Sequence, residues 1–527
     1  MPGGDPQQPT LADDLQARGM ELRETHISQV FLAAHDVYKI KKPVDFGFLD
    51  FRTLEAREHY CHREVELNRR LAPRVYHGVL PIRRDPAGHH VLGGDPALGP
   101  PVDWAVHMLR LPDADAADQR LSTGSLGREQ VEALASHLAR FHASARADEE
   151  TARFGAPEVI EGNVRENFEQ TADSATHYLS AREVGALRDW QLGFLSEHRT
   201  RFEARARAGR VRDGHGDLRL EHCYLDADGR VDVIDCIEFN ERFRYGDVCA
   251  DIAFLAMDLA WHERPDLAEA LVAAYARESG DYDLYGVVDF YESYRAHVRA
   301  KISSFVAEDE HAESAARSRA AALARKYYLL AEACTREPLS PPRVIVVGGA
   351  IASGKSEMAR RLGAHFGAPI VDADRTRKQL AGVAPETPLH DAAFSGHYGP
   401  EMTARVYAEV LRRAAVVLDS GRPVILEATY RAREHRLQAR ALAARVNVPF
   451  HFVECSAPEA VLRERLEQRA RGTSISDGRS DILTSFLASL EPVEELGPGE
   501  HVPVDTRRTP GDSFEAALAG LGEGQSG

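Results

Sequence analysis

At 527 residues the chain is longer than one hydrophobic core organises, so two to four domains are expected. Its 43% hydrophobic and 28% charged content is that of globular protein, and no apolar run approaches the roughly 18 residues of a membrane span, so a cytoplasmic protein with no membrane partner is expected. The net charge of −17 falls almost wholly before residue 341, which argues against non-specific nucleic-acid binding there; residues 341–527 are nearly neutral and leave a nucleic-acid acceptor open.

Residues 1–20 read as a flexible tail without an apolar signal core. Residues 25–32 and 36–41 read as two strands joined by a turn at Ala33 to His35. Leu54 to Leu71 is a charged, leucine-spaced helix that Pro73 ends, a strand reaches Pro81, and 102–111 forms another. Helices are expected over 128–147 and 160–208, a short strand pair at 222–235, and helices again through 334. The proline-rich segment 336–342 separates a domain at 21–335 from one at 343–519. Beyond it strands (343–348, 368–372, 423–427, 448–454) alternate with helices (355–365, 400–419, 431–445, 457–471), the pattern of a parallel sheet covered by helices. Residues 520–527, glycine-rich, read as a disordered tail. The six cysteines are scattered without a Cys-x-x-Cys pair, so neither a disulfide framework nor a zinc site is expected.

The strongest motif is Gly349-Ala350-Ile351-Ala352-Ser353-Gly354-Lys355-Ser356, which fits Gly-x4-Gly-Lys-Ser between an apolar β-branched run and a helical segment. Glycines at 349 and 354, with Ser353 beside them, let backbone N–H groups turn inward around a polyphosphate, and the helix start adds partial positive charge. Lys355 can reach the outer phosphates of ATP, and Ser356 can ligate Mg²⁺. Val424-Ile425-Leu426-Glu427 is an apolar strand ending in an acid, the setting of a second Mg²⁺ carboxylate. After the second strand, Asp374 is the candidate base for an acceptor hydroxyl, with helix capping by Asp372 or Asp374 as the alternative. Arg377 and Lys378 follow where they could grip an anionic substrate. Arg465 and Arg469, four apart, share a helix face and could neutralise the migrating phosphoryl group, or simply lie in a salt-bridged surface helix.

The N-terminal half carries its own constellation. His215-Gly216-Asp217 begins a loop and Val233-Ile234-Asp235 closes the next strand, and a loop aspartate followed by a strand-end aspartate is the plan of protein kinases. This half resembles the aminoglycoside phosphotransferase and choline kinase-like family over about residues 25–330, which implies a protein-kinase-like fold. The resemblance makes Asp217 the catalytic aspartate, Asp235 the metal-binding one, Lys39 the phosphate-binding lysine and Glu64 its partner. It also puts Ser28 in the nucleotide loop, 108–111 at the hinge beside adenine, and Asp251 in bracing the catalytic loop. Two positions depart from the family: His222 replaces the metal-binding Asn, and the first strands lack a glycine-rich loop. Lys41, on the same strand face, is an alternative to Lys39, and Glu238 is either a supporting acid or a turn residue.

The C-terminal half resembles gluconate kinase, chloramphenicol phosphotransferase, zeta-toxin and polynucleotide-kinase domains, which share the Asp-x-x-Arg arrangement of Asp374 and Arg377. That implies an AAA-type P-loop NTPase fold, a parallel α/β/α sandwich. The whole chain resembles bacterial proteins fusing the two domains, a combination of α+β and α/β classes. The resemblance implies an ATP- and Mg²⁺-dependent kinase acting on a hydroxyl of a small molecule. A polynucleotide 5′-kinase and a regulatory ATP-binding protein with a degenerate N-terminal half are its rivals.

Overall fold

The computed structural model describes residues 9–47, 49–385, 387–389, 395–469 and 482–523. The chain divides into two compact units, and neither is continuous in sequence. The first comprises residues 1–262 and 294–332; the second comprises 263–293 and 333–527. Residues 263–293, expected in the N-terminal domain, thus fold with the C-terminal one. Among the described residues no helix is long and apolar enough to cross a membrane.

The first unit is built on a six-stranded sheet of β1 (Glu21–Glu24), β2 (Ser28–Leu32), β3 (Asp36–Lys41), β4 (Tyr76–Arg84), β5 (His90–Leu92) and β6 (Asp103–Leu109). Their order is β1-β2-β3-β6-β4-β5, and every neighbouring pair is antiparallel. Side chains alternate between its faces. Leu32, Val37, Val106 and Met108 pack with Cys61 and Val65 of helix Leu54–Asn68 on the inner face. Phe31, Ile40, Ile82 and Ala105 pack with Leu15 on the outer face. Leu15 belongs to helix Leu11–Ala17, which corrects the expected tail over 1–20 for those residues. Thr10 and Asp13 form a capping box at its start, and Asp14 accepts a hydrogen bond from the backbone N–H of His90 at 2.8 Å. The expected short strand pair is the hairpin of β8 (Cys223–Leu225) and β9 (Val231–Val233), while β7 (Val211–Asp213) pairs with β10 (Tyr245–Asp247). Helix Val248–Trp261, apolar nearly all round, is buried almost throughout, as such a helix must be.

The second unit is a parallel five-stranded sheet of β11 (Val344–Gly349), β12 (Ile370–Asp372), β13 (Val424–Glu427), β14 (Phe450–Ser456) and β15 (His501–Asp505), in the order β12-β13-β11-β14-β15. Val344, Ile345, Val346 and Val347 are fully buried, as strands covered on both faces require. Helices Lys355–Phe366 and Pro510–Gly520 contribute Met358, Leu362, Ala517 and Leu518 to a core with Ile345, Val347, Ile425, Val453 and Val502. Within this unit Arg422, two residues before β13, is buried between Glu269 at 2.9 Å and Asp289 at 2.9 Å. Arg336 adds ion pairs to Glu269 and Glu292, both at 2.9 Å. The early segment is therefore held to the sheet by a buried ionic network.

Candidate active sites

The loop after β11 has the backbone its motif requires. Gly349 has φ +126°, and a Cβ there would lie 2.2 Å from the Cys455 carbonyl oxygen, so only glycine fits. Gly354 has φ +88° and immediately precedes helix Lys355–Phe366. Ser353 is fully buried, and its Oγ has no hydrogen-bond partner among the described residues. A buried orphan hydroxyl in a glycine-bounded loop at a helix start suits an anion, so the residues present fit a nucleotide polyphosphate. Lys355 Nζ donates to the Ala350 carbonyl at 2.6 Å, across the loop it belongs to. Arg465 also borders the loop: it donates to the Ala352 carbonyl at 3.3 Å and to the Thr506 carbonyl at 2.6 Å. Arg469 lies in the same helix, Glu459–Arg469, but its side chain falls outside the described residues, as do residues 470 and 471 of the helix expected over 457–471.

Ser356 Oγ hydrogen-bonds Glu427, so the two residues expected at Mg²⁺ already touch. Asp372 pairs with Glu427 in register across β12 and β13. Burial, and next the charge of Asp372, pushes the Glu427 carboxyl up to about 7, although Ser356 and Lys355 pull the other way. Two adjacent acids beside a serine hydroxyl make an oxygen-donor set suited to Mg²⁺.

Between the two acids considered for base and cap, Asp372 is the cap. Its Oδ1 accepts from the Arg375 N–H at 2.7 Å at the start of helix Ala373–Leu380. Its Oδ2 lies 3.5 Å from Arg277, an arginine of the 263–293 segment that motif reading missed because it is remote in sequence. Asp374 is half-buried in the first helical turn. Arg377 and Lys378 are buried and committed to backbone carbonyls: Arg377 donates to His397 at 2.6 Å and Lys378 to Pro385 at 2.8 Å. Both are thus turned to the chain's own backbone, where the expectation had them reaching out to a substrate anion.

In the first unit the sequence constellation converges in one cluster. Lys39 Nζ lies 2.9 Å from Glu64 and 2.6 Å from Asp235. Lys41, two residues on and therefore on the same face, also meets Glu64 at 2.7 Å and contacts Glu238. Glu64 is thus shared by both lysines, and Glu238 is a buried supporting acid. Ser28 is paired opposite Lys41 within β2 and fully buried, so it occupies no loop over the phosphates, which corrects that expectation.

The loop aspartates are set by their hydrogen bonds. Asp251 accepts from the N–H groups of His215 at 2.7 Å and Gly216 at 3.0 Å, bracing the loop. Burial pushes the His215 imidazole down to about 4, against Asp251, and its Nε2 donates to the Ile234 carbonyl at 3.0 Å. Burial would raise the Asp217 carboxyl, but Arg219 and then His222 hold it at about 2. Arg219, 3.2 Å from Asp217 Oδ2, is a site residue that no motif announced. His222 Nδ1 lies 2.8 Å from the Asp217 carbonyl oxygen, and its Nε2 lies 3.4 Å from Arg219 Nη2 and 3.6 Å from Asp235 Oδ2. Burial acts to raise the Asp235 carboxyl, yet Lys39 and His222 hold it well below the usual range. His222 and Asp235 could therefore share a cation, with an imidazole where an amide was expected.

Comparison with known proteins finds two family models, one in each half of the chain. Residues 35–297 match the model of the phosphotransferase enzyme family, and residues 344–493 match that of an AAA domain. Uncharacterized proteins of Mycobacterium tuberculosis and Mycobacterium bovis are 34% identical over 469 residues, covering 89% of this chain and 90% of theirs. Among solved structures, a gluconokinase from Sinorhizobium meliloti aligns with 35% of this chain and 94% of its own, at 24% identity and a TM-score of 0.26. A choline/ethanolamine kinase family protein from Mesorhizobium loti aligns with 60% of this chain and 91% of its own, at 14% identity and a TM-score of 0.35.

Proposed function

Because the chain belongs to a family that joins a phosphotransferase-enzyme domain to a C-terminal AAA domain, we propose that it is an ATP- and Mg²⁺-dependent kinase acting on the hydroxyl of a small molecule. The observation that carries this reading is the loop 349–356, whose glycine geometry and orphan Ser353 hydroxyl fit a triphosphate beside the Ser356–Glu427 pair. In the proposed reaction Lys355 exchanges the Ala350 carbonyl for the outer phosphates, Ser356 and Glu427 hold Mg²⁺, and Arg465 faces the charge developing on the transferred group. Asp374 orients the acceptor hydroxyl, and Asp372 with Arg277 fixes the helix that carries it. In the first unit Asp217 would take the acceptor proton while Lys39, Asp235 and His222 hold the nucleotide and its metal.

The test is phosphoryl transfer from γ-labelled ATP to pools of sugars, aminoglycosides, nucleosides and 5′-hydroxyl oligonucleotides. Lys355→Ala is expected to lower transfer by the second unit by about 10²-fold or more, while Asp217→Ala leaves ATP binding intact. A Lys355→Ala variant that matches the unaltered chain with every acceptor would remove the second unit as the engine. Labelling confined to the oligonucleotides would move the acceptor class to polynucleotides.

A further inference from the structure

We propose that Asp36, His77 and His107 form a site for a zinc-class divalent cation on the outer face of the first unit's sheet. Strand alternation separates this site from the cluster of Lys39, Glu64 and Asp235. On β3, Val37, Lys39 and Lys41 share the inner face, and Asp36, Tyr38 and Ile40 share the outer one. His107, on β6, stands opposite Tyr38 in register, and the two rings stack at 5.0 Å and 10°. That stacking fixes the plane of the imidazole.

A bulge brings in the third residue. On β4 the pairing runs Tyr76 with Met108 and then Gly78 with His107, so His77 is an extra residue in the ladder. Such a residue breaks the ladder and re-aims its side chain. Gly78, at φ +156°, supplies backbone freedom, and Arg69 donates to the carbonyls of both Tyr76 at 2.9 Å and His77 at 2.6 Å. The result places the His77 ring 4.9 Å from that of His107, while His107 Nε2 is 2.7 Å from Asp36 Oδ1. One donor atom from each of the three residues lies within 4.8 Å of the others. Tetrahedral coordination with bonds of about 2.0–2.2 Å puts its ligand atoms about 3.4 Å apart, a spacing that the 4.8 Å limit here approaches to within about 1.4 Å.

Two imidazoles and one carboxylate suit Zn²⁺ and its neighbours, whereas Mg²⁺ and Ca²⁺ prefer oxygen. Three protein ligands leave the fourth position to water. The ligands come from β3, β6 and β4, three consecutive strands, so a bound ion clasps the middle of the sheet. No cysteine contributes, which is why cysteine spacing carried no sign of the site.

Titration of the full chain with Zn²⁺, followed by calorimetry and by the melting temperature, tests this. The expected result is Zn²⁺ binding that raises the melting temperature, with no matching effect from Mg²⁺, and that persists in His222→Ala, which removes the imidazole beside Asp235. His107→Ala and Asp36→Asn should each weaken Zn²⁺ binding by about tenfold or more. Cys334→Ser, which alters the half-buried thiol, should leave it unchanged. His77 is exposed, so His77→Ala carries the same expectation even if His107→Ala fails to fold. Zn²⁺ affinity unchanged in His77→Ala, or lost in Cys334→Ser instead, would overturn the proposal.

Discussion

Glu427 holds a proton at a pH where an ordinary carboxyl, near about 4.3, has lost it, because burial and Asp372 disfavour its charge. Between those two values the folded chain binds more protons at this residue than the unfolded chain does. Its contribution to stability therefore falls as pH rises from about 4.3 toward 7, by at most about 1.4 kcal/mol per pH unit, and then levels off. Glu427→Gln should remove that slope. Melting temperatures of both forms in chelator, from pH 5 to pH 8, check it: the variant should gain relative to the unaltered chain as pH rises. Glu427 was legible in sequence as a strand-end acid, and Lys355 and Ser356 as members of a spaced motif. The choice between Lys39 and Lys41 was not legible, since residues two apart on a strand face the same way and Glu64 accepts both. Arg277 was invisible because only tertiary folding carries it to Asp372, whereas Arg219 stands two residues after Asp217 but outside the spacing of the motif.

Among the elements, the parallel strands were the easiest to read. Covered on both faces, they appear as continuous apolar runs, and β11, β12, β13 and β14 lie within about two residues of their expected bounds. The four-residue β1 and the proline-containing β15 lack such runs and went unpredicted. Helix Leu11–Ala17 was hidden by its polar flanks, since it is secured by contacts to His89 and His90 rather than by length. The salt-bridged element most open to test is the entry to β13. Arg422→Met would leave Glu269 and Asp289 buried with part of their countercharge gone. The expected cost is about 3–5 kcal/mol, measured by denaturant unfolding of the full chain. Replacing the exposed Arg440, whose pair with Glu500 is open to water, should cost less than about 1 kcal/mol.

For the molecule as a whole, the proline-rich segment misleads as a cutting site. A fragment beginning at residue 343 contains the whole sheet, yet it lacks Glu263–Ser293 and so the acids that meet Arg422. We expect that fragment to melt well below the second unit in the full chain, or to aggregate; supplying residues 263–293 as a separate peptide should restore part of the lost stability. Equal melting of the fragment and the unit would contradict this reading. The two family matches leave residues 298–343 between them, and neither records that a stretch inside the first match serves the second unit.

That interleaving sets an order of events on the ribosome. Glu263–Ser293 emerges more than a hundred residues before Arg422, which at about 5–20 residues per second is a delay of roughly 7–26 s. Arg336 reaches Glu269 earlier in that interval, but Asp289 waits for Arg422 to the end of it. Completion of the second unit is thus a late, long-range closure, and chaperone dependence during synthesis should centre on this one helical stretch.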